Sequence, residues 1–310
     1  MKILLLFALL IVSCEEYSPT ENQDCSGVSD GDSYYDYCSN CDNNLSNDCQ
    51  IELSNNDLIL LSALNNLESK IENTKKILYS TLNENSKIGE LGNVVVDNWS
   101  EQSSSKYKLF FSEYFGNYTQ SNVYINYLYS ADGKDWQKHQ GYIIDRPLED
   151  PYVIMHENIY YLFAEDKFDV PFRNIRRYHS TDGLEWIDDG DVLDITEENH
   201  YEDRDVSSPT VMIQDDVWLM YYEGRGYEWY GSINLATSLD GLNWNKMNET
   251  NPAYYPRKLE IEWDYKTAVP DDLLFYNENY YLIYHGIGYM NDYSIRILSS
   301  LDMKKWYRIN

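Results

Sequence analysis

The chain runs to 310 residues, enough for one large domain or two small ones, and 43% of them are hydrophobic, so a sizeable core can form. Its formal net charge of −28 sets it against nucleic acid and anionic lipid surfaces and makes it a poor host for a phosphorylated substrate. Tyrosine is abundant, at 31 residues, a bias that suits β-structure and sugar-facing surfaces.

The N-terminus carries a processing signal. Met1-Lys2 is a short basic start, and the apolar run ILLLFALLIVS is too short to cross a bilayer but fits a secretory signal. The run stops at Cys14, and IVSC is similar to the lipobox of bacterial lipoproteins. That similarity implies a signal peptide over residues 1–13, lipidation of Cys14, and export with a lipid anchor in a bacterial membrane. An ordinary signal peptide with a cysteine near its end is the alternative. Residues 14–50 then read as an acidic tether, rich in Asp, Asn and Ser. Cys25, Cys38, Cys41 and Cys49 lie in it, an even set that in an exported chain reads as two disulfides of open connectivity. A zinc site built on the Cys38/Cys41 pair is the rival, and no catalytic metal is expected.

Residues 51–88 read as a helical spacer. Over residues 57–82 there is no Gly or Pro, Asp57 stands ready as a cap, and Leu60, Leu64, Leu67, Ile71 and Leu78 recur at helical spacing. This seam serves either a coiled-coil stalk that joins copies of the chain or packing onto the following domain.

Residues 89–310 change to short Val/Ile/Tyr/Phe/Trp runs between turn clusters, as in KYKLFFSEY, VYINYLYS, IYYLFAED, VWLMYYEG and YYLIYHG, the pattern of strands. A seven-residue motif recurs as SADGKDW, STDGLEW, SLDGLNW and SLDMKKW, and its tryptophans, at 136, 186, 244 and 306, are spaced by 50, 58 and 62 residues. A repeat of that size with about four strands is a propeller blade, and four repeats are visible. In the motif, Asp-Gly makes the tight turn, the serine bonds within it, and the tryptophan packs between blades. Asp132, Asp182, Asp240 and Asp302 are therefore structural, although Met303 replaces the glycine in the last copy. Three hairpins open on a proline (Pro151, Pro209, Pro270), each preceded six residues earlier by an aspartate (Asp145, Asp203, Asp264).

The segments EDPYVIMHENIYYLFAED, SSPTVMIQDDVWLMYYEGRG, INLATSLDGLNW and YYLIYHG resemble the five-bladed β-propeller glycoside hydrolases of families 43, 32, 68, 62 and 117, with family 130 as a cousin. The resemblance implies a fifth blade and a central funnel ringed by acids. It also implies hydrolysis of plant or algal oligosaccharides by paired carboxyl groups, set about 5–5.5 Å apart for retention or about 6.5–9.5 Å for inversion. Asp150 takes the family's Asp-Pro position. By proline alignment its counterparts are Ser208 and Val269, with Leu91 or Gly92 in the first blade. The family's Glu-Gly-Pro or Glu-Ala-Pro acid is missing from VSSPTV, so the partner acid is sought among Glu202, Asp203, Asp205, Asp271 and Asp272, with Asp205 and Asp271 preferred. Asp203 and Asp264 either line the funnel or cap turns. Arg204, Glu223, Arg225, His285 and Trp263 are the expected substrate contacts, with Trp229 and Tyr230 as further stacking candidates. No cofactor is expected, a structural calcium ion being compatible with the fold. The alternative function is a sugar-binding or scaffold propeller that kept the architecture without the chemistry.

Overall fold

The computed structural model describes residues 34–35, 41–42, 86–96 and 105–308, apart from 118, 120, 167, 169–171, 197–200, 227–229, 249, 257–263, 277–278, 292 and 305. The expected helix over 57–82, Cys14, Cys25, Cys38, Cys49, Trp229 and Trp263 lie outside the described residues. Within the unit formed by residues 1–52, Tyr34–Tyr35 pairs antiparallel with Cys41–Asp42. The other described residues are all-β, and no helix among them is long and apolar enough to cross a membrane.

Four antiparallel, four-stranded sheets form the propeller. Blade I holds Ser86–Val96, Tyr107–Phe115, Val123–Ser130 and Gln137–Lys138. Blade II holds Leu148–His156, Ile159–Asp166, Asn174–Ser180 and Ile187–Leu193. Blade III holds Asp205–Gln214, Val217–Arg225, Gly231–Ser238 and Trp244–Lys246, and blade IV holds Thr267–Tyr276, Asn279–Ile287, Tyr293–Ser300 and Tyr307–Arg308. The resemblance implies a fifth blade; among the described residues there are four. The first strand of each blade is the inner one, and strand order follows chain order outward.

Local chemistry explains the hairpins. The inner turns of blades II and III place Glu157 and Asn158 (φ 48° and 69°) and Asp215 and Asp216 (φ 50° and 63°) in the left-handed region, the two-residue turn that matches strand twist. The repeated heptapeptide forms the turn between the third and fourth strands. In blade II, Ser180 Oγ accepts the Gly183 N–H (2.9 Å), and Asp182 Oδ1 accepts the Leu184 and Glu185 N–H groups (2.8 and 2.9 Å). The Trp186 indole N–H closes the turn onto the Gly183 carbonyl (3.2 Å), and Gly183 takes φ 74°. The same bonds recur at Ser130–Trp136 and Ser238–Trp244. Each of these turn aspartates thus commits Oδ1 to the backbone of its own turn.

The tryptophans sit where blades meet. Trp186 stands edge-on to Phe110 of blade I, Trp244 to Phe163 of blade II, and Trp306 to Tyr221 of blade III, with centroids 6.0, 5.9 and 5.4 Å apart. Phe110, Phe163 and Tyr221 occupy the same place in their second strands, so one contact repeats around the ring. Each such pair contributes about 0.5–1.5 kcal/mol beyond the apolar area it buries. Three apolar clusters fill the seams I–II, II–III and III–IV.

Two of the acids weighed in the sequence belong to these seams: Glu202, sought as a partner acid, and Asp264, read as lining the funnel or capping a turn. Asp264 is fully buried and accepts two bonds from Arg308 Nη2 (2.6 and 2.8 Å), with the Tyr254 hydroxyl donating to Oδ2 at 2.6 Å. Glu202, also fully buried, takes the Tyr222 hydroxyl (2.6 Å) and Lys246 Nζ (2.9 Å). Both are structural because each carboxylate is fully buried and already has a cationic partner. Removing one member of such a pair leaves a stranded buried charge. Arg308→Met should therefore lower unfolding free energy by about 3–5 kcal/mol in urea titration; a loss under about 1 kcal/mol would show that the pair does not hold the last strand.

Candidate active site

The inner strands do not run regularly. Pairing skips from Glu149 to Tyr152 in blade II, from Ser207 to Thr210 in blade III and from Pro270 to Asp272 in blade IV. These are β-bulges, which re-aim side chains that strand alternation would bury elsewhere. Asp150 and Ser208 hold φ 47° and 49° within their bulges, an unfavourable backbone for residues with a Cβ. Each precedes a proline, which supplies no N–H to the ladder and so tolerates the break.

The bulges surround an axial cavity of about 380 Å³. Leu91 and Gly92 come from blade I, Glu149–Tyr152 from blade II, Ser208–Thr210 from blade III and Val269–Asp271 from blade IV. The ends of the second strands add Tyr114, Glu165, Glu223, Arg225 and His285, and Arg173 and Tyr293 complete the wall. Gly92 permits the approach of blade I beside Asp150, since a Cβ there would lie 2.2 Å from the Pro151 carbonyl oxygen.

The register corrects the alignment made by proline. Glu165, Glu223 and His285 are equivalent and pair with Glu149, Ser207 and Val269. Val269 is therefore level with Glu149, not Asp150, and the one-residue shift carries Asp271 to the cavity.

Charges are paired closely here. Glu223 is buried and accepts from Arg225 Nε (2.8 Å), Ser207 Oγ (2.9 Å) and Thr267 Oγ1. Burial alone would raise its pKa, but the Arg225 charge and these three donors outweigh it and hold the carboxyl below the usual range. A Cβ at Gly231 would stand 2.4 Å from Glu223 Oε1 and 1.8 Å from Thr267 Oγ1, so glycine is required there. Arg173 Nε lies 3.4 Å from Glu165 Oε1, and Ser208 Oγ donates to Asp150 Oδ2 at 2.6 Å across the II–III boundary. His285 Nδ1 and Asp271 Oδ1 are 2.8 Å apart.

Of the residues expected from sequence, Asp150, Asp271, Glu223, Arg225 and His285 thus line one cavity. Asp205 is buried beside it, with Oδ1 accepting the Arg173 backbone N–H at 3.1 Å. Arg204 does not line it; its backbone N–H donates to the Arg225 carbonyl at 3.1 Å. Trp263 lies outside the described residues. Glu149, Glu165, Arg173, Tyr114 and Tyr293 were not anticipated. Glu165 had a readable signal: it stands next to last in IYYLFAED as Glu223 does in VWLMYYEG. Among the described residues no group of three or more His, Cys, Asp or Glu is arranged to hold a metal.

No family model and no curated protein matches the chain. Solved structures share its fold. A family 117 glycoside hydrolase of the marine bacterium Zobellia galactanivorans superposes with TM-score 0.57 at 13% identity, over 73% of this chain and 70% of that one. A family-43 glycoside hydrolase described as thermostable gives TM-score 0.54 at 16% identity, over 74% of each chain. A β-1,2-mannobiose phosphorylase from Listeria innocua gives 0.54 at 11%, over 73% of this chain and 76% of that one. The chain therefore has the β-propeller fold found in these glycoside hydrolase families.

Beside the cavity, the Tyr152 hydroxyl of blade II donates to Asp272 Oδ1 of blade IV at 2.8 Å. Burial raises the Asp272 pKa above the ordinary value, only partly opposed by the Tyr152 and Leu273 donors. A raised native pKa gives stability that is present below the unfolded value and lost as pH rises through the native one. Asp272→Asn mimics the neutral form and keeps an acceptor for Tyr152. It should match the wild type in Tm near pH 3 and exceed it near pH 7. A lower Tm at neutral pH would reverse the sign argued for Asp272.

Proposed function

We propose that the chain is a glycoside hydrolase that cleaves glycosidic bonds in plant or algal oligosaccharides. One observation carries this reading: acids from different blades, Asp150 of II, Glu223 of III and Asp271 of IV, face one cavity in a fold shared with such enzymes. Glycoside hydrolysis needs one ionised carboxyl and one proton donor on either side of the scissile bond. Asp150 fits the first role, oriented by the Ser208 hydroxyl on a strained backbone of the kind that collects at functional sites. The Asp271–His285 pair fits the second: with one added proton held between carboxyl and imidazole, the pair can hand that proton to the leaving oxygen and take it back from water. Glu223, held ionised by Arg225, suits a substrate hydroxyl better than proton donation. Phosphorolysis fits less well: both cavity arginines already have carboxylate partners, which leaves a phosphate nucleophile poorly served. The signal run ending at Cys14 supports an exported enzyme anchored by lipid at a bacterial membrane.

The test is a screen on aryl-arabinosides, xylosides, galactosides and fructosyl oligosaccharides. On whichever substrate is cleaved, Asp150→Asn should reduce kcat at least about 100-fold, and Asp271→Asn by a comparable factor, with far-UV spectra unchanged. Undiminished activity in Asp150→Asn would remove it from the mechanism. Sugar binding without cleavage of any substrate would favour a binding propeller.

A further inference from the structure

We propose that residues 57–82 pack as a helix between blades IV and I, where the resemblance implies a fifth blade, with Leu60, Leu64, Leu67, Ile71 and Leu78 turned into the gap. The seams I–II, II–III and III–IV follow one rule: the tryptophan of each later blade reaches the second strand of the blade before it. Trp136, in blade I, packs instead on Leu109, Phe111 and Leu128 of its own blade. Strand alternation puts these three on the face opposite Phe110 and Ile125, which fill the I–II seam. Phe111 and Leu128 are each only 1% exposed. Leu91 and Val94, which pair with Phe111 and Leu109, extend the same face with less cover. One half-buried tryptophan does not dry a sheet face; a second element packed on it does.

Blade IV has the same need on its far side. Leu282 and Leu298 pair in the ladder and pack in the III–IV seam, which turns Ile283 and Ile297 the other way. Ile297 is 1% exposed, yet it belongs to none of the apolar clusters among the described residues, and none of those clusters joins blade IV to blade I. Two apolar faces, one on either side of the gap, thus call for cover from beyond the four blades.

The chain itself supplies it. Leu53–Asn310 form one compact unit, so residues 57–82 belong with the propeller. Only residues 83–85 separate them from Ser86, which opens the inner strand of blade I at the edge of the gap. As a helix, residues 57–82 span about 39 Å, against about 36 Å for the 11-residue strand Ser86–Val96. The segment is therefore long enough to run the depth of a blade. Its apolar stripe is the kind that a helix buries against a core. A coiled-coil stalk would use the same stripe and leave both walls of the gap uncovered.

The test is photocrosslinking in the full chain at high dilution. Photoreactive benzoylphenylalanine replaces Val94 on blade I or Leu274 on blade IV, and the exposed Ile187 of blade II serves as control. Leu274 pairs with Tyr281 and so shares the face of Ile283. Irradiation should attach both probes to residues 57–82 of the same chain, and should not attach the control there. Leu67→Asp, which puts a charge into the filled gap, should lower the thermal midpoint by at least about 5 °C. Attachment to a second copy, or a midpoint unchanged in Leu67→Asp, would assign the stripe to a stalk and overturn the proposal. Attachment from Val94 alone, or from neither probe, would overturn it too, because a segment that fills the gap touches both walls.

Discussion

The register breaks in the inner strands are the constraint on which the cavity depends. A regular strand sends alternate side chains to its two faces, and in a propeller both faces are committed to neighbouring blades. Nothing would be left to point along the axis. The bulges after Glu149 and Ser207, and the one at Asp271, release one or two residues from that alternation and turn them inward. In blades II and III a proline within the bulge makes the break permanent, because the missing N–H cannot rejoin the ladder. Asp150 and Ser208 carry the strain together, joined by a hydrogen bond that crosses from one blade to the next.

Placing acids at the axis creates an electrostatic problem that the neighbouring strands answer. Glu223 sits among groups that cannot solvate it as water would, so it is met by a guanidinium and two hydroxyls. That cage closes only because Gly231 brings the third strand of blade III against it without a side chain. Arg173 performs the parallel service for Glu165, and its backbone N–H also fixes Asp205. The charged residues nearest the cavity are thus tied into the ladders that build the blades, which couples the site's geometry to the fold's stability.

How much of this could be read in the sequence follows from which features are local. The S-x-D-G-x-x-W turn is a closed set of bonds within seven residues, so its spelling alone marked the four repeats and the place of the turn, while the expectation of a fifth blade came from the resemblance. Asp150 was legible through the resemblance, which hangs on the adjacent Asp-Pro pair. The proline alignment misled in blade IV, because pairing with the second strand, not proline, sets the bulge, and that pairing joins residues far apart in the chain. It placed Val269 at the Asp150 level and understated how Asp271 comes to the cavity. Nothing in the sequence names the partners of Asp264 or Glu202, although Asp264 stood in a recurring pattern. Only tertiary packing delivers Arg308 and Lys246 to them and converts them to structural residues. Arg173 was invisible because its role depends on a parallel bridge to Asp205, more than 30 residues away.

The fourth copy of the turn shows which part of the motif is indispensable. Met303 stands where the others have glycine, yet it adopts φ 62° and the turn keeps its form. Ser300 Oγ still accepts the Met303 N–H (2.9 Å), and Asp302 Oδ1 still accepts the Lys304 N–H (2.9 Å). The serine and aspartate therefore define the turn, and glycine only makes it inexpensive. A left-handed backbone costs a side-chain-bearing residue about 1–2 kcal/mol. Here two contacts offset that cost. The methionine side chain packs on the III–IV cluster, and its carbonyl accepts the Tyr221 hydroxyl of blade III at 2.5 Å, in place of the indole that takes this carbonyl in the other blades. A bond internal to the turn has been exchanged for one between blades, on the seam where Arg308 also ties the last strand to Asp264.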